Sequence, residues 1–361
     1  MSFQFVVFCL YAASAFTGAT LSSFTSADPV AVQAVCLTIP TLFIGVILFS
    51  MRRAHLLVRI AGKATSIAMG FLNFAFLAAL ACWPTAWAAQ ALGSTLDRGS
   101  IAAILLLTSG LAALYGLINA GWLRVTRYTV CLQHLPAWWQ GREVALVSDL
   151  HVGVIRGTNF VRRIVDRLNA LKPTVVFISG DLFDGAKVDV VDSVEPWRSL
   201  RASAGAYFVT GNHDEFGDRT RYLRALTGVG VQVLDNEKRV VEGLQVVGIH
   251  DAETHRPALF ETLLERARID RSLPSILLAH RPENLEAAER AGVSLQLSGH
   301  THAGQFPLWT VIVRTIYGRF AYGLHRHGSL QVVTSSGAGT GGPPFRVGTR
   351  SEIVLLRLES M

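Results

Sequence analysis

Glu143-Val144-Ala145-Leu146-Val147-Ser148-Asp149-Leu150-His151 decides the fold: a short, strongly apolar run ends on a polar string that carries two metal-ligand side chains. Such a run reads as a buried strand. The polar residues after it then sit at the strand's C-terminal end, where open α/β sheets gather their sites. The arrangement recurs down the chain. Thr174 to Ile178 precedes Gly180-Asp181-Leu182-Phe183-Asp184, Tyr207 to Val209 precedes Gly211-Asn212-His213-Asp214, and Ile276 to Leu278 precedes Ala279-His280. A fifth string, Gly299-His300-Thr301-His302, completes the set. Asp149 and Asp181 are 32 residues apart and Asp181 and Asn212 are 31 apart, a spacing of one βα repeat each. Three loops therefore meet at one rim.

Carboxylates, imidazoles and one amide carbonyl make a mixed oxygen and nitrogen site. It suits Mn²⁺, Fe or Zn²⁺ better than Ca²⁺, and the lack of thiolates argues against a closed structural zinc site. Asp149, His151, Asp181, Asn212, His280, His300 and His302 are too many for one ion and enough for two if one carboxylate bridges. Two metals roughly 3.5–4 Å apart clamp a phosphorus centre and hold a hydroxide for in-line attack.

These strings, in this order, resemble those of the calcineurin-like metallophosphoesterases: D-x-H, G-D-x-x-D, G-N-H-D/E, a lone His and G-H-x-H. The resemblance runs from about Glu143 to the C-terminus. It implies a four-layer α-β-β-α sandwich, two β-sheets between layers of helices, and two divalent ions, Mn²⁺ favoured over Fe or Zn²⁺. Carried over by position, it implies Asp149, His151 and His302 on one ion, Asn212, His280 and His300 on the other, and Asp181 bridging. His213 is then no ligand but the group that stabilises or protonates the leaving oxygen, with Asp184 orienting it. General acid–base work of this kind contributes typically ~10²–10⁴-fold. His300 to Gln305 and Gly337 to Arg346 look most like the bacterial branch acting on phospholipid-like substrates, which includes hydrolases of UDP-2,3-diacylglucosamine. His250, Asp251 and His255 follow the apolar run Leu244 to Ile249 but fall in no motif, and read as ordinary loop residues.

The first third of the chain is a different object. Half of all residues are hydrophobic, and the mean hydropathy of +0.37 is high for a soluble protein of this length. The excess lies before Arg124, in four stretches: Phe3 to Leu21, Val30 to Ser50, Ala64 to Ala89 and Ile101 to Leu123. Each approaches or exceeds the ~20 residues a helix needs to cross a bilayer core, and none contains Asp, Glu, Lys or Arg. Four transmembrane helices are expected, the third kinked or ended by Pro84. No Lys or Arg precedes the first stretch, so it lacks the basic n-region of a cleaved signal sequence. Arg52, Arg53, Arg59 and Lys63 lie between the second and third stretches and Arg124 and Arg127 follow the fourth, whereas the other two loops hold only Arg98. The basic side is the cytoplasmic one. This makes a multi-pass protein of the inner (cytoplasmic) membrane, its catalytic domain in the cytoplasm. Cys9, Cys36, Cys82 and Cys131 form no visible disulfide framework.

The expected organisation is a transmembrane anchor over residues 1–123, an interfacial linker over 124–142 and a metallophosphoesterase domain over 143–361. Trp138 and Trp139 in the linker read either as an interfacial belt or as core packing. Pro307 to Gly328 mixes Leu308, Trp309, Val311, Ile312, Ile316 and Phe320 with Arg314, Arg319 and Arg326. It reads either as an element for acyl chains and phosphate headgroups or as a hairpin of the second sheet. A net charge of +7 without a basic tract favours lipid headgroups and substrate phosphate over nucleic acid, and no nucleic-acid partner is expected. The expected partners are the bilayer and a phosphate-containing lipid or nucleotide-lipid substrate. The alternatives are a phosphodiesterase of soluble nucleotides and a non-catalytic membrane scaffold.

Overall fold

The computed structural model describes residues 3–53 and 55–361. The chain forms two compact units: one comprises residues 1–119 with 342–347, the other 120–341 with 348–361.

The first unit is helical: α1 (Phe3–Phe24), α2 (Pro29–Ser50), α3 (Leu56–Ala91) and α4 (Arg98–Gly121). All four are long and apolar enough to cross a membrane. Asp28 starts α2 by accepting the Ala31 N–H at 2.8 Å, with Pro29 next, where its missing N–H costs nothing. Two details depart from the sequence reading. The helix α3 begins at Leu56, so Arg59 and Lys63 ride on its first turns instead of in a loop, and it continues through Pro84 to Ala91. Gly342–Val347, from the far end of the chain, belongs to this unit, where Phe345 meets Phe71 edge to face at 5.5 Å.

The second unit holds twelve strands: β1 (Leu123–Leu132), β2 (Glu143–Val147), β3 (Val175–Ser179), β4 (Ala206–Val209), β5 (Val231–Val233), β6 (Lys238–Val241), β7 (Leu244–Ile249), β8 (Ser275–Ala279), β9 (Leu295–Ser298), β10 (Gly323–His327), β11 (Leu330–Thr334) and β12 (Ser351–Ser360). One six-stranded sheet has the order β1-β12-β2-β3-β4-β5, the other β10-β11-β9-β8-β7-β6. Its helices are α5 (Thr158–Leu171), α6 (Val190–Val194), α7 (Arg219–Gly228), α8 (Asp251–Thr254), α9 (Pro257–Ala267), α10 (Leu285–Ala291) and α11 (Pro307–Tyr317).

Alternation along the strands builds the layers. Val144 and Leu146 of β2 point into a core shared by the two sheets, with Ile276, Leu278, Leu295 and Leu297 from the other side. Ala145 and Val147 point outward, against Val161, Ile164, Val165 and Leu168 on one stripe of α5. On the opposite outer face Val247, Ile249 and Leu277 pack on Phe260 and Leu264 of α9. The result is the α-β-β-α sandwich. Each fully buried Val, Leu or Ile contributes roughly 1.5–3 kcal/mol, so truncating Leu146 to Ala costs about 2–5 kcal/mol.

The stretch read as an interfacial linker contributes β1, which runs parallel to β12 over ten residue pairs from Leu123–Ser351 to Leu132–Ser360. Trp139 is fully buried in the inter-sheet core and donates its indole N–H to the Val241 carbonyl at 3.1 Å. Core packing, not an interfacial belt, accounts for it. Pro307 to Gly328 resolves into α11, a short 3₁₀ turn over Gly318–Ala321 and β10, which pairs antiparallel with β11.

Candidate metal centre

Each of the five strings leaves the C-terminal end of a strand. Ser148 to His151 follows β2, Gly180 and Asp181 follow β3, Thr210 to Asp214 follow β4, His280 follows β8 and Gly299 to His302 follow β9. The backbone there is bent sharply. Asp149 (φ 53°), His151 (φ 50°), Asp181 (φ 52°), His300 (φ 69°) and His302 (φ 49°) are all left-handed, a conformation costing on the order of 1–3 kcal/mol per non-Gly residue, found where surroundings over-determine it. Those surroundings include hydrogen bonds from the Asp149 N–H to Gly180 O and from the His151 N–H to Asp181 O, both 3.0 Å, and from the His300 N–H to both Asp149 oxygens at 3.1 Å. Glycine is needed at the first position of two of the strings because carboxylates lie against it. A Cβ on Gly211 would fall 2.2 Å from Asp181 Oδ1, and one on Gly299 would fall 2.3 Å from Asp149 Oδ2.

Two clusters result, and a third group, His151, Asp181 and His213, overlaps both. Asp149, His151 and His302 bring ligand atoms together, with the two histidine Nε2 atoms 3.1 Å apart and His302 Nε2 3.4 Å from Asp149 Oδ1. Asp181, His280 and His300 do the same, with His280 Nε2 3.3 Å from both Asp181 Oδ2 and His300 Nδ1. Asp181 Oδ2 also lies 3.7 Å from His151 Nε2, so this carboxylate stands between the clusters.

The donor set fits divalent ions. His280 Nδ1 can only donate to the Ser179 carbonyl at 2.7 Å, which orients the ring and aims Nε2 at the cluster. The Asn212 carbonyl oxygen is buried with no hydrogen-bond partner among the described residues, a costly arrangement for a polar atom unless something else binds it. The unpartnered Asn212 oxygen is thus a further candidate donor beside Asp181, His280 and His300.

The protein's own charges describe the same demand for positive charge. Burial would depress the His280 imidazole, but Asp181 and then Asp149 outweigh it and raise the pKa to about 10. Burial would raise Asp181, but His280, His213 and His151 hold it well below the usual carboxylate range. Burial pushes Asp149 up to about 6 against the pull of His280. Burial, then His213, pushes His151 down to about 3, and burial, then His280 and Arg281, holds His300 well below its ordinary value. The two neutral imidazoles keep their lone pairs for a cation; at His280 a cation must displace a proton.

His213 sits beside the first cluster, its ring 4.8 Å from His151 and 5.1 Å from Phe216. Asp184 does not hydrogen-bond to it. The Asp184 carboxylate instead accepts from the Val154 N–H at 3.2 Å and the Ala186 N–H at 2.8 Å, because it folds onto the Cβ-free face of Gly153. The residue that ties the His213 loop down is one the sequence reading passed over. Buried Asp214 accepts the Phe183 N–H at 2.9 Å and the Gly211 N–H at 2.8 Å, joining the second and third strings. Its place directly after His213 was the available signal.

Residues 143–304 match the calcineurin-like phosphoesterase family. A transmembrane protein with metallophosphoesterase domain from Danio rerio is 32% identical, covering 75% of this chain and 65% of that protein. Its counterpart from Bos taurus is 31% identical, covering 78% and 67%. An uncharacterized metallophosphoesterase from Helicobacter pylori is 33% identical, covering 60% of this chain and 59% of that protein. The chain thus spans about three fifths to two thirds of the length of these relatives. The chain belongs to the calcineurin-like phosphoesterase family.

Proposed function

We propose that this member of the calcineurin-like phosphoesterase family is a membrane-anchored hydrolase that cleaves a phosphodiester or pyrophosphate bond of a lipid, with UDP-2,3-diacylglucosamine as the leading candidate. The observation that carries the reading is the pair of clusters with Asp181 between them, a member of the second whose Oδ2 lies 3.7 Å from His151 Nε2 of the first. In this proposal Asp149, His151 and His302 hold one ion, Asn212, His280 and His300 the other, and Asp181 both. Mn²⁺ is the favoured ion, with Fe or Zn²⁺ as alternatives. Two such ions supply Lewis acidity at the phosphoryl oxygens and the hydrolytic nucleophile. The chain's own residues do the rest. Asp181 sets the separation of the clusters, and its Oδ1 accepts the His213 N–H at 2.8 Å, which holds the His213 loop against the clusters. His213 then protonates the leaving oxygen. Asp184 shapes the Gly153 turn beside it and acts on His213 only through space.

A lipid substrate is supported by four spans in the same chain and by α11, which follows His302 directly. No residue of α11 is buried; Leu308, Trp309, Val311, Ile312 and Ile316 are all exposed. Thr310 anchors the helix by donating to the Phe306 carbonyl at 3.0 Å and the Ala303 carbonyl at 3.2 Å. Apolar groups for acyl chains and Arg314 for a headgroup phosphate thus stand on the helix that begins five residues after a proposed ligand, His302. The distribution of basic residues supports a domain on the cytoplasmic face.

The test is full-length protein in lipid nanodiscs, assayed for metal by elemental analysis and for turnover on lipid, nucleotide and chromogenic phosphoesters. Two ions per chain and turnover, both lost in Asp181→Ala, are expected. Wild-type metal content near zero after loading with Mn²⁺ would sink the two-ion reading, a preference for soluble nucleotides would replace the lipid, and full metal without turnover would mean a scaffold.

A further inference from the structure

His250 and Asp251 directly follow strand β7, at the start of α8, and lie outside the five strings. Both are buried. His250 Nδ1 accepts the Thr210 N–H at 2.9 Å, and the Asp251 N–H donates to the Thr210 carbonyl at 3.3 Å. Thr210 is therefore gripped on both sides by two consecutive residues of the opposite sheet. His250 is itself held: its N–H donates to Asn236 Oδ1 at 3.0 Å, and its Nε2 lies 3.0 Å from Asp235 Oδ1. The Asp251 carboxylate accepts Arg281 Nε at 2.7 Å and Arg281 Nη2 at 3.2 Å, a two-point ion pair in a largely buried setting.

The partners of this dipeptide carry the argument. Thr210 lies two residues before Asn212, and Arg281 directly follows His280. These are donors of one centre delivered from different sheets, Asn212 after β4 in the first and His280 after β8 in the second. No backbone ladder crosses between the sheets to fix their separation. Besides the bond from His280 Nδ1 to the Ser179 carbonyl, His250 and Asp251 supply that link: both bond Thr210, and Asp251 also holds Arg281.

We propose that His250 and Asp251 are positioning residues for the second metal centre, clamping the Asn212 and His280 loops at the separation an ion requires. The inference rests on the reading that Asn212 and His280 share an ion. Groups that orient ligands from behind typically govern metal affinity by ~10–100-fold, because a ligand set must be held within about 0.5 Å of its productive geometry. The tautomer makes the clamp testable. Nδ1 accepts from an N–H, so it must be unprotonated, and an Asn side chain can place an acceptor where Nδ1 stands, whereas a Gln side chain places its polar end where Nε2 stands.

The experiment is Mn²⁺ titration of the full-length protein in nanodiscs, followed by calorimetry and by electron paramagnetic resonance, where a coupled ion pair and a lone ion give different spectra. His250→Gln is expected to weaken one of two sites by about 10–100-fold and to turn the coupled spectrum into that of a lone ion. His250→Asn keeps both sites within about threefold, and Asp251→Asn weakens the same site as His250→Gln. Thermal unfolding in chelator accompanies each titration. Equal metal loss in the Asn and Gln variants, equal retention, or equal thermal destabilisation without a difference in metal binding would overturn the clamp. A wild-type protein that binds no Mn²⁺ would instead overturn the proposed function.

Discussion

Replacing Val311, Ile312 and Ile316 together with Ser separates a lipid-handling helix from a piece of core. The three side chains are 63%, 38% and 66% exposed in the folded protein, so about half of their apolar surface is still available to be covered by acyl chains. The change removes about eight side-chain carbons, and at ~0.8 kcal/mol for each fully buried methylene the half that lipid can cover is worth roughly 3 kcal/mol. That is an upper bound of about 10²-fold, since tenfold corresponds to about 1.4 kcal/mol. The expected outcome is a rise in KM for a long-chain phosphodiester lipid in mixed micelles, while the loss on bis-para-nitrophenyl phosphate is smaller by about that factor. The comparison of kcat/KM between the two substrates, in one preparation, cancels errors in active fraction. If both substrates lose equally, these side chains serve packing and the acyl-chain role of α11 is wrong.

Three further outcomes are expected. His213→Ala keeps both metals and loses turnover by about 10²–10⁴-fold, less for substrates with good leaving groups; a loss independent of the leaving group removes His213 from the acid's role. A reporter after Met361 behaves as cytoplasmic and one inserted near Ser26 as external; an external C-terminus would exclude any substrate of the cytoplasmic leaflet. Burial, then Arg219, pushes His250 from an ordinary 6.5 down to about 4, so below pH 6.5 the unfolded chain binds a proton that the folded one refuses. The stability is fully present above pH 6.5 and drains by up to about 3 kcal/mol as the pH falls to 4. Thermal unfolding of the wild type in chelator should show this slope and His250→Asn should flatten it, whereas matching slopes would place the titration elsewhere.

Local patterns made much of this protein legible. Four of the five strings stand out because a buried strand writes itself as a short apolar run and its C-terminal loop as the polar residues that follow, both within ten residues of sequence. The four spans stand out because a bilayer demands about 20 apolar residues in a row, which no other pressure produces so plainly. Length alone, however, did not mark where α3 starts: nothing between Leu56 and Ala64 breaks a helix, so Arg59 and Lys63 are carried on it.

What the tertiary structure decided involves partners far apart in sequence. The half-exposed strand β1 is a strand because Leu123–Leu132 finds β12, more than two hundred residues later, and Trp139 is core because Val241 lies across from it. Asp184 turns to Val154 and Ala186 because Gly153 leaves room there. His250 and Asp251 acquire their place only when the two sheets stack and bring Thr210 and Arg281 to them. Ligand types and strand ends are properties of neighbouring residues and can be read in order along the chain. The groups that hold the ligands at a fixed distance act across the gap between two sheets, and only stacking the sheets brings them together.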